Sequence, residues 1–569
     1  MTTRSDGLLI SAALAVSATC VAYFHLLDRA IFSSVSFAPI FRELLTVYDA
    51  RTAWVSLAIC AVAALYHRTA FQLKLVDFLG SHPYSSAAAC AAILAAVARL
   101  VYHGYPLSMD EYAAVFQAKV FAAGHISVRI PPDLVDWLVV SGFNGAFLNV
   151  SPESGMAIGH YWPGFALLLA AFEFLNVPSL CNASVSGIAL VLIYWITHEI
   201  TQDRRSAGWA MLFALASGAF VATSISFYSM QAHLALNLAF AGLLLKPTRA
   251  RAFGAGLAGS LALTLHNPVP HAVFAAPWLL SILSEREQRR YFLPLLLGYL
   301  PGLALGVGWF LFRSDIGPAL RTAGVTGRLT EGAFTWPDTS VLNMRAAAAV
   351  KMWEWSWPGL FLFAALGRAR LSEVRSVRLL SQSALLTFFA YFFVPYDQGH
   401  GWGFRYFHSA WGAVPILAGC AMARLSGDQG RRLVAFAGAS AILSLLIVVP
   451  LQMRQIERII SQHLAQVPEP KTPGNNVYFI HPSGGFYAAD MVQMDPLLRN
   501  RDLFFVSHGA TADARLMAQH WPEALKISST AAADQWYLGA RDHRVPVAGS
   551  NGGARFIFTP QAPPIAGGR

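Results

Sequence analysis

Apolar residues run in long blocks along most of this chain, and polar residues are confined to short stretches between them. Blocks lie at roughly 8–27, 52–67, 84–102, 180–199, 207–225, 229–245, 252–267, 270–284, 291–312, 347–366, 379–396, 409–424 and 433–452. About 17–25 apolar residues carry a helix across a bilayer, and a spanning helix satisfies its own backbone hydrogen bonds. The pattern therefore predicts a polytopic α-helical membrane protein of about 13 transmembrane helices. One further apolar stretch, 160–177, resists this count. A single crossing there would invert every later loop. It is read as re-entrant or interfacial, or as paired with a crossing inside 134–150.

The pattern changes after residue 455. Pro468-Glu469-Pro470-Lys471-Thr472-Pro473-Gly474 reads as a linker. Beyond it, Val477-Tyr478-Phe479-Ile480, Leu503-Phe504-Phe505-Val506 and Arg555-Phe556-Ile557-Phe558 read as strands, with helix between the first two and near Asp513–Trp521. The expected organisation is a transmembrane module over 1–455, with a large first outer loop at 103–160. A linker follows over 456–475, then a small α/β extracytoplasmic domain over 476–569. No internal repeat of fixed period is evident.

Composition agrees: mean hydropathy is +0.47 and only 13% of residues are charged, which excludes an ordinary soluble globule. The net charge of +10 would suit nucleic acid if it formed one patch, but the basic residues sit in short loops. These loops hold Arg204 and Arg205; Lys246, Arg249 and Arg251; Arg286, Arg289 and Arg290; Arg368, Arg370, Arg375 and Arg378; and Arg424, Arg431 and Arg432. One such group follows every second block, so the positive-inside rule puts all five in the cytoplasm. No nucleic-acid partner is expected. The amino terminus is then inside. Outside lie the Asp110-Glu111 loop, the loops near His233 and His266, those at 313–345 and 396–408, and the tail. Among the 17 histidines only His67, His82 and His198 fall inside. The arginine-over-lysine, alanine-rich composition suits a bacterial inner membrane with a periplasmic tail. The first block lacks a small-residue cleavage site and reads as a span. The five cysteines lie in or beside apolar blocks, with no zinc or disulfide spacing.

Chemistry centres on Asp110-Glu111, an acidic pair just beyond an apolar block. Acids beside lipid are costly and mark function. The pair opens a helix-like stretch to about Gly124 whose apolar stripe, Tyr112, Val115, Phe116 and Val120, suits a helix lying in the membrane interface. Neighbouring helical residues point about 100° apart, so the two acids have separate tasks. One faces a groove; the other caps the helix, where a carboxylate complements the dipole. The loop 396–408 is glycine- and aromatic-rich and carries Trp402, Arg405, Tyr406 and His408. It reads either as a ligand pocket or as an interfacial aromatic belt with a snorkelling arginine. The loop 313–345 reads as a lid or a solvated connector.

The run Asp110-Glu111-Tyr112 through Gly124-His125, followed by His160-Tyr161-Trp162-Pro163-Gly164-Phe165, Asn176-Val177-Pro178 and Asp203-Arg204-Arg205, resembles the membrane-integral GT-C glycosyltransferases. The branch it resembles holds the protein O-mannosyltransferases and the aminoarabinose transferase of lipid A. The resemblance implies a polyprenyl-phosphate-linked sugar donor and a lipid, glycan or protein acceptor. It further implies inverting transfer on the outer face, with Asp110 as general base and Glu111 as its supporting acid or orienter. Lys119 and Arg405 are the implied cations for the leaving phosphate. His160, Tyr161, Trp402, Tyr406 and His408 are the implied substrate contacts. Metal-assisted relatives carry a second acid in the next outer loop. Here Ser226-Phe227-Tyr228-Ser229-Met230-Gln231-Ala232-His233 has none, so either His233 takes that place or the metal is absent. No metal ligand is assigned, and a divalent cofactor is left open. The alternatives are a transporter or flippase of an amphipathic lipid-linked substrate, and a non-catalytic assembly subunit.

Overall fold

A computed structural model describes residues 3–26, 39–314, 316, 335–396, 398–423, 425, 427–469 and 475–539. The described residues fall into two compact units: residues up to 104 with 179–307 and 335–457, and residues 105–178 with 308–316 and 458–539. Each is assembled from segments far apart in the chain.

The first unit is helical. Across the described residues, seven helices are long and apolar enough to cross a membrane: Gly7–Leu26, Ile40–Leu65, Pro83–Tyr102, Leu180–Thr201, Arg289–Ser314, Arg375–Phe393 and Gly430–Leu464. An eighth arises if Arg204–Leu215 and Gly218–Ile225, bent by 67°, count as one broken span. The expectation of about 13 came from treating every apolar block as a straight crossing. The block 347–366 is instead two helices, Thr339–Glu354 and Leu360–Arg370, separated at Gly359 with φ 111°. Others, such as Met230–Leu243, are only 14 residues long.

Helices in lipid associate through close contact and small residues rather than through the hydrophobic effect. Arg249–Thr264 and Phe292–Ser314 show this. A Cβ on Gly256 would stand 2.1 Å from the Leu295 carbonyl oxygen, and one on Gly298 would stand 2.3 Å from that of Phe253. Only glycine permits that approach. One turn on, the Gly302 N–H donates to Ser260 Oγ at 2.6 Å.

The second unit begins with helix α1, Met109–Ala122. Strands β1 (Val128–Arg129), β2 (Leu148–Val150) and β3 (Met156–Gly159) form a small antiparallel sheet in the order β1-β3-β2. Helix α2, Gly164–Phe174, follows. Its 11 residues extend about 16 Å, half the ~30 Å needed to cross. Residues 134–150 hold only short turns and β2. The stretch 160–177 therefore fits the re-entrant or interfacial reading.

The tail carries β4 (Asn475–Ile480), β5 (Asp502–Val506), helix α3 (Ala510–His520), β6 (Leu525–Ser529) and β7 (Ala533–Gly539). The sheet order is β5-β4-β7-β6, with β4 and β5 parallel and the other pairs antiparallel. The strands expected at 477–480 and 503–506 are present. That expected at 555–558 lies outside the described residues. Between β4 and β5 the expected helix is a single 3-10 turn, Ala488–Met491.

The apolar stripe of α1 faces protein, not the bilayer interface. Met109, Tyr112, Phe116 and Val120 pack in one buried cluster with Val477, Phe479, Phe505 and Trp521. The tail sheet thus covers the apolar surface that the sequence pattern assigns to lipid.

Candidate active site

Ser108 leaves the preceding segment in extended backbone and caps α1. Its Oγ accepts the Glu111 N–H at 3.4 Å, while Glu111 Oε2 accepts the Ser108 N–H at 3.2 Å and its hydroxyl at 3.3 Å. This is a reciprocal capping box, legible as Ser-x-x-Glu. Glu111 is fully buried. The two acids do divide their tasks: Glu111 closes the helix end and Asp110, one residue earlier, points elsewhere.

Asp110, Ala113 and Gln117 share a second face of α1 at three- and four-residue spacing. That face meets the end of β3. Gln117 Oε1 accepts the Gly159 N–H at 2.8 Å, and a Cβ on Gly159 would press to 2.9 Å from the Ala113 carbonyl oxygen. The close approach delivers the next two residues to the start of α1. The Tyr161 hydroxyl donates to Asp110 Oδ1. His160 Nδ1 pairs with Asn149 Oδ1 at 2.9 Å. Their backbone carbonyls accept from Arg313, for His160, and from Trp309 Nε1 at 2.9 Å, for Tyr161. Asp110 and Tyr161 are half-buried, so the carboxylate is held and still reachable.

Lys119 stands nine residues beyond Asp110, about 13 Å along the helix. Its ammonium lies 3.6 Å from Asp495, which also faces Arg499 at 3.4 Å. The structure brings Asp110 and Tyr161 together and places Lys119 in a separate ionic cluster.

A residue that sequence reasoning missed completes the first turn. The segment 490–494 wraps it: the Tyr105 hydroxyl donates to the Asp490 carbonyl at 3.3 Å, and Gln493 Nε2 donates to the Pro106 carbonyl at 2.8 Å. The Tyr112 hydroxyl bridges the backbone N–H and carbonyl of Met494, both at 2.9 Å. The Asp490 carboxyl accepts the Met109 N–H and sits within electrostatic range of Asp110. Burial pushes it up from 3.8 to about 7; the Asp110 charge adds to the rise and the Met109 hydrogen bond opposes it. No local motif marks Asp490. Only the tail fold places it.

In the first unit, the loop carrying Arg405 is held by short 3-10 turns at Tyr391–Phe393, Gln398–His400 and Arg405–Phe407. The Arg405 guanidinium lies 4.6 Å from the Tyr228 ring centre. Asn182 fixes that ring's loop by donating to the carbonyls of Ser226 at 2.7 Å and Tyr228 at 2.8 Å. Trp402 Nε1 donates to the Tyr102 hydroxyl at 2.8 Å, and Tyr406 stacks on Tyr391 at 4.8 Å. His408 Nε2 lies 2.9 Å from both Thr223 Oγ1 and Gln231 Oε1. His233 is buried with neither ring nitrogen hydrogen-bonded among the described residues. Among these residues, no three His, Cys, Asp or Glu side chains converge as a metal site. Of the proposed lid, Arg321, Arg328 and Glu331 lie outside the described residues.

No family model matches the chain, and no curated protein matches it. Among solved structures, ArnT from Cupriavidus metallidurans bound to undecaprenyl phosphate is similar over 82% of this chain and 99% of its own, with a TM-score of 0.50 and 14% identity. The same protein in its apo state matches over 80% and 99%, with a TM-score of 0.48 and 14% identity, too low a score to add an argument. The first likeness concerns architecture, and it agrees with the membrane helices and the small tail sheet. The chain is a multi-pass membrane protein with the GT-C fold.

Proposed function

We propose that this chain is an integral-membrane glycosyltransferase that moves a sugar from a polyprenyl-phosphate donor to an acceptor hydroxyl on the outer, periplasmic face of the bacterial inner membrane. The observation that carries the reading is the division of the acidic pair. Glu111 is consumed by the capping box, while Asp110 is half-buried and oriented by the Tyr161 hydroxyl. A helix cap needs one carboxylate; the second, held by a phenol at the end of a deliberately close strand, has no capping task.

In the reaction, Asp110 takes the proton of the acceptor hydroxyl as its oxygen attacks the anomeric carbon. The bond from that carbon to the phosphate oxygen breaks, polyprenyl phosphate leaves, and configuration inverts. The fold shared with ArnT, bound in its structure to undecaprenyl phosphate, supports the donor class. Within the first unit, an apolar groove of about 700 Å³ suits a prenyl chain. Its lining includes Cys20, Val350, Phe361, Phe388 and Leu417, and it reaches Phe407, two residues from Arg405. Arg405 is the cation proposed for the donor phosphate, since a guanidinium can clamp it through two parallel hydrogen bonds.

Replacing Asp110 by Asn tests the assignment. It removes the proton acceptor and keeps the size, so transfer falls by roughly 10²–10⁴-fold. The capping box is untouched, so the melting temperature of the purified protein stays within a degree or two of wild type, about the scale of half a kcal/mol. Full transfer by Asp110→Asn sinks Asp110 as the base.

A further inference from the structure

The helix Thr339–Glu354 buries two cations, Arg345 and Lys351, at 1% and 0% exposure. Charges this deep in a membrane-embedded unit are costly and mark function. Both aim at one stretch of backbone. Arg345 donates to the carbonyls of Tyr391 at 2.9 Å, Val394 at 2.6 Å and Tyr396 at 3.1 Å, and its guanidinium lies 5.6 Å from the Phe404 ring centre. Lys351 donates to the carbonyl of His400 at 2.7 Å. Asp49, at the end of the π-helical turn Leu44–Asp49, lies 2.9 Å from the Lys351 ammonium and accepts from Trp355 Nε1 at 2.8 Å.

The stretch so gripped runs directly into Arg405. It contains Gly399, Gly401 and Gly403, the last at φ 70°, and its described residues form only single turns of regular structure. Fixing each such residue costs about 1–2 kcal/mol of backbone entropy. Among the described residues, backbone–backbone bonds are few here, and the two buried cations add restraints. The planar guanidinium suits three carbonyls in a way that a point charge does not.

We propose that Arg345 and Lys351, with Asp49 as counter-ion, are positioning residues that hold the backbone at 391–396 and 398–404 so that Arg405 stands ready for the donor phosphate. This rests on the donor reading above. Asp49 and Lys351 touch no substrate; they act through the loop.

The test is binding of undecaprenyl phosphate to the purified full chain in detergent, alongside thermal melting. Arg405→Ala sets the reference and binds at least tenfold more weakly. Lys351→Met also weakens binding about tenfold, the scale of one hydrogen bond to a charged group. Because the two act in series, the double variant with Arg405→Ala binds no more weakly than Arg405→Ala alone. Removing Lys351 leaves the Asp49 charge buried without its counter-ion, so Lys351→Met lowers the melting temperature. The pair Asp49→Asn with Lys351→Met relieves that charge, recovers most of the melting temperature and still binds weakly. Three results overturn the inference: wild-type binding by the Asp49→Asn, Lys351→Met pair, additive losses with Arg405→Ala, or wild-type binding by Arg405→Ala itself. The first two leave the donor reading intact; the third removes Arg405 from it.

Discussion

Adjacent carboxylates at a helix start acquire different chemistry because the helix turns about 100° between them. Glu111 lies in the box with Ser108, so the task proposed for it is structural. Glu111→Gln retains an acceptor for the Ser108 N–H, costs less than about 1 kcal/mol, and leaves transfer per folded molecule near wild type. Glu111→Ala loses the box and costs about 1–2 kcal/mol. Loss of transfer by well-folded Glu111→Gln would return Glu111 to the chemistry. Asp490 brings a pH dependence. Its ordinary value of 3.8 rises to about 7 in the fold, chiefly through burial. Below about pH 4 both folded and unfolded chains hold the proton. Between about 4 and 7 the unfolded chain releases it first, so stability drains away as pH rises through that window and stays low above it. Asp490→Asn removes the drain. Its melting temperature relative to wild type is therefore higher at pH 8 than at pH 5, and an equal difference at both pH values refutes the account.

Elements were legible where a local signal marks them. The Ser108–Glu111 spacing and the stripe at Tyr112, Phe116 and Val120 announce α1. The short apolar runs at 477–480 and 503–506, rich in β-branched and aromatic residues, announce β4 and β5. Strands β1 to β3 have two to four residues each, too few for a periodic pattern, and they exist because β3 is tied to α1 through Gln117. The break between Thr339–Glu354 and Leu360–Arg370 hides inside an apolar run, although Pro358 and Gly359 stand there. The Asp110–Tyr161 bond joins two motifs that the sequence marks separately, whereas Asp490 has no motif and depends on tail contacts. At this scale Gly298 is the sharpest probe. Gly298→Leu drives a side chain into the Phe253 carbonyl, 2.3 Å from a Cβ, and forces its helix from Arg249–Thr264. Overpacking against backbone costs about 3 kcal/mol, read as a lowered melting temperature. Gly308, with nothing within 4 Å of a Cβ, tolerates Ala as the control.

At the level of the whole molecule, the tail is part of one core with α1 rather than an appended module. Val477, Phe479, Phe505 and Trp521 share a buried cluster with Tyr112 and Phe116. Ending the chain at residue 467 strips that cover and exposes the α1 stripe. The truncated protein is then expected to give poor yield and rapid proteolysis within 105–178, where the full chain resists. Normal yield and protection would mean that the first outer segment is stable alone. The same discontinuity has a consequence in time. Tyr112 and its partner Met494 are separated by 382 positions. Ribosomes add about 5–20 residues per second, so α1 waits roughly 20–80 s for the strands that cover it. During that interval its aromatic face is open to whatever chaperone or lipid lies beside the translocon, and synthesis speed becomes a determinant of how much chain matures.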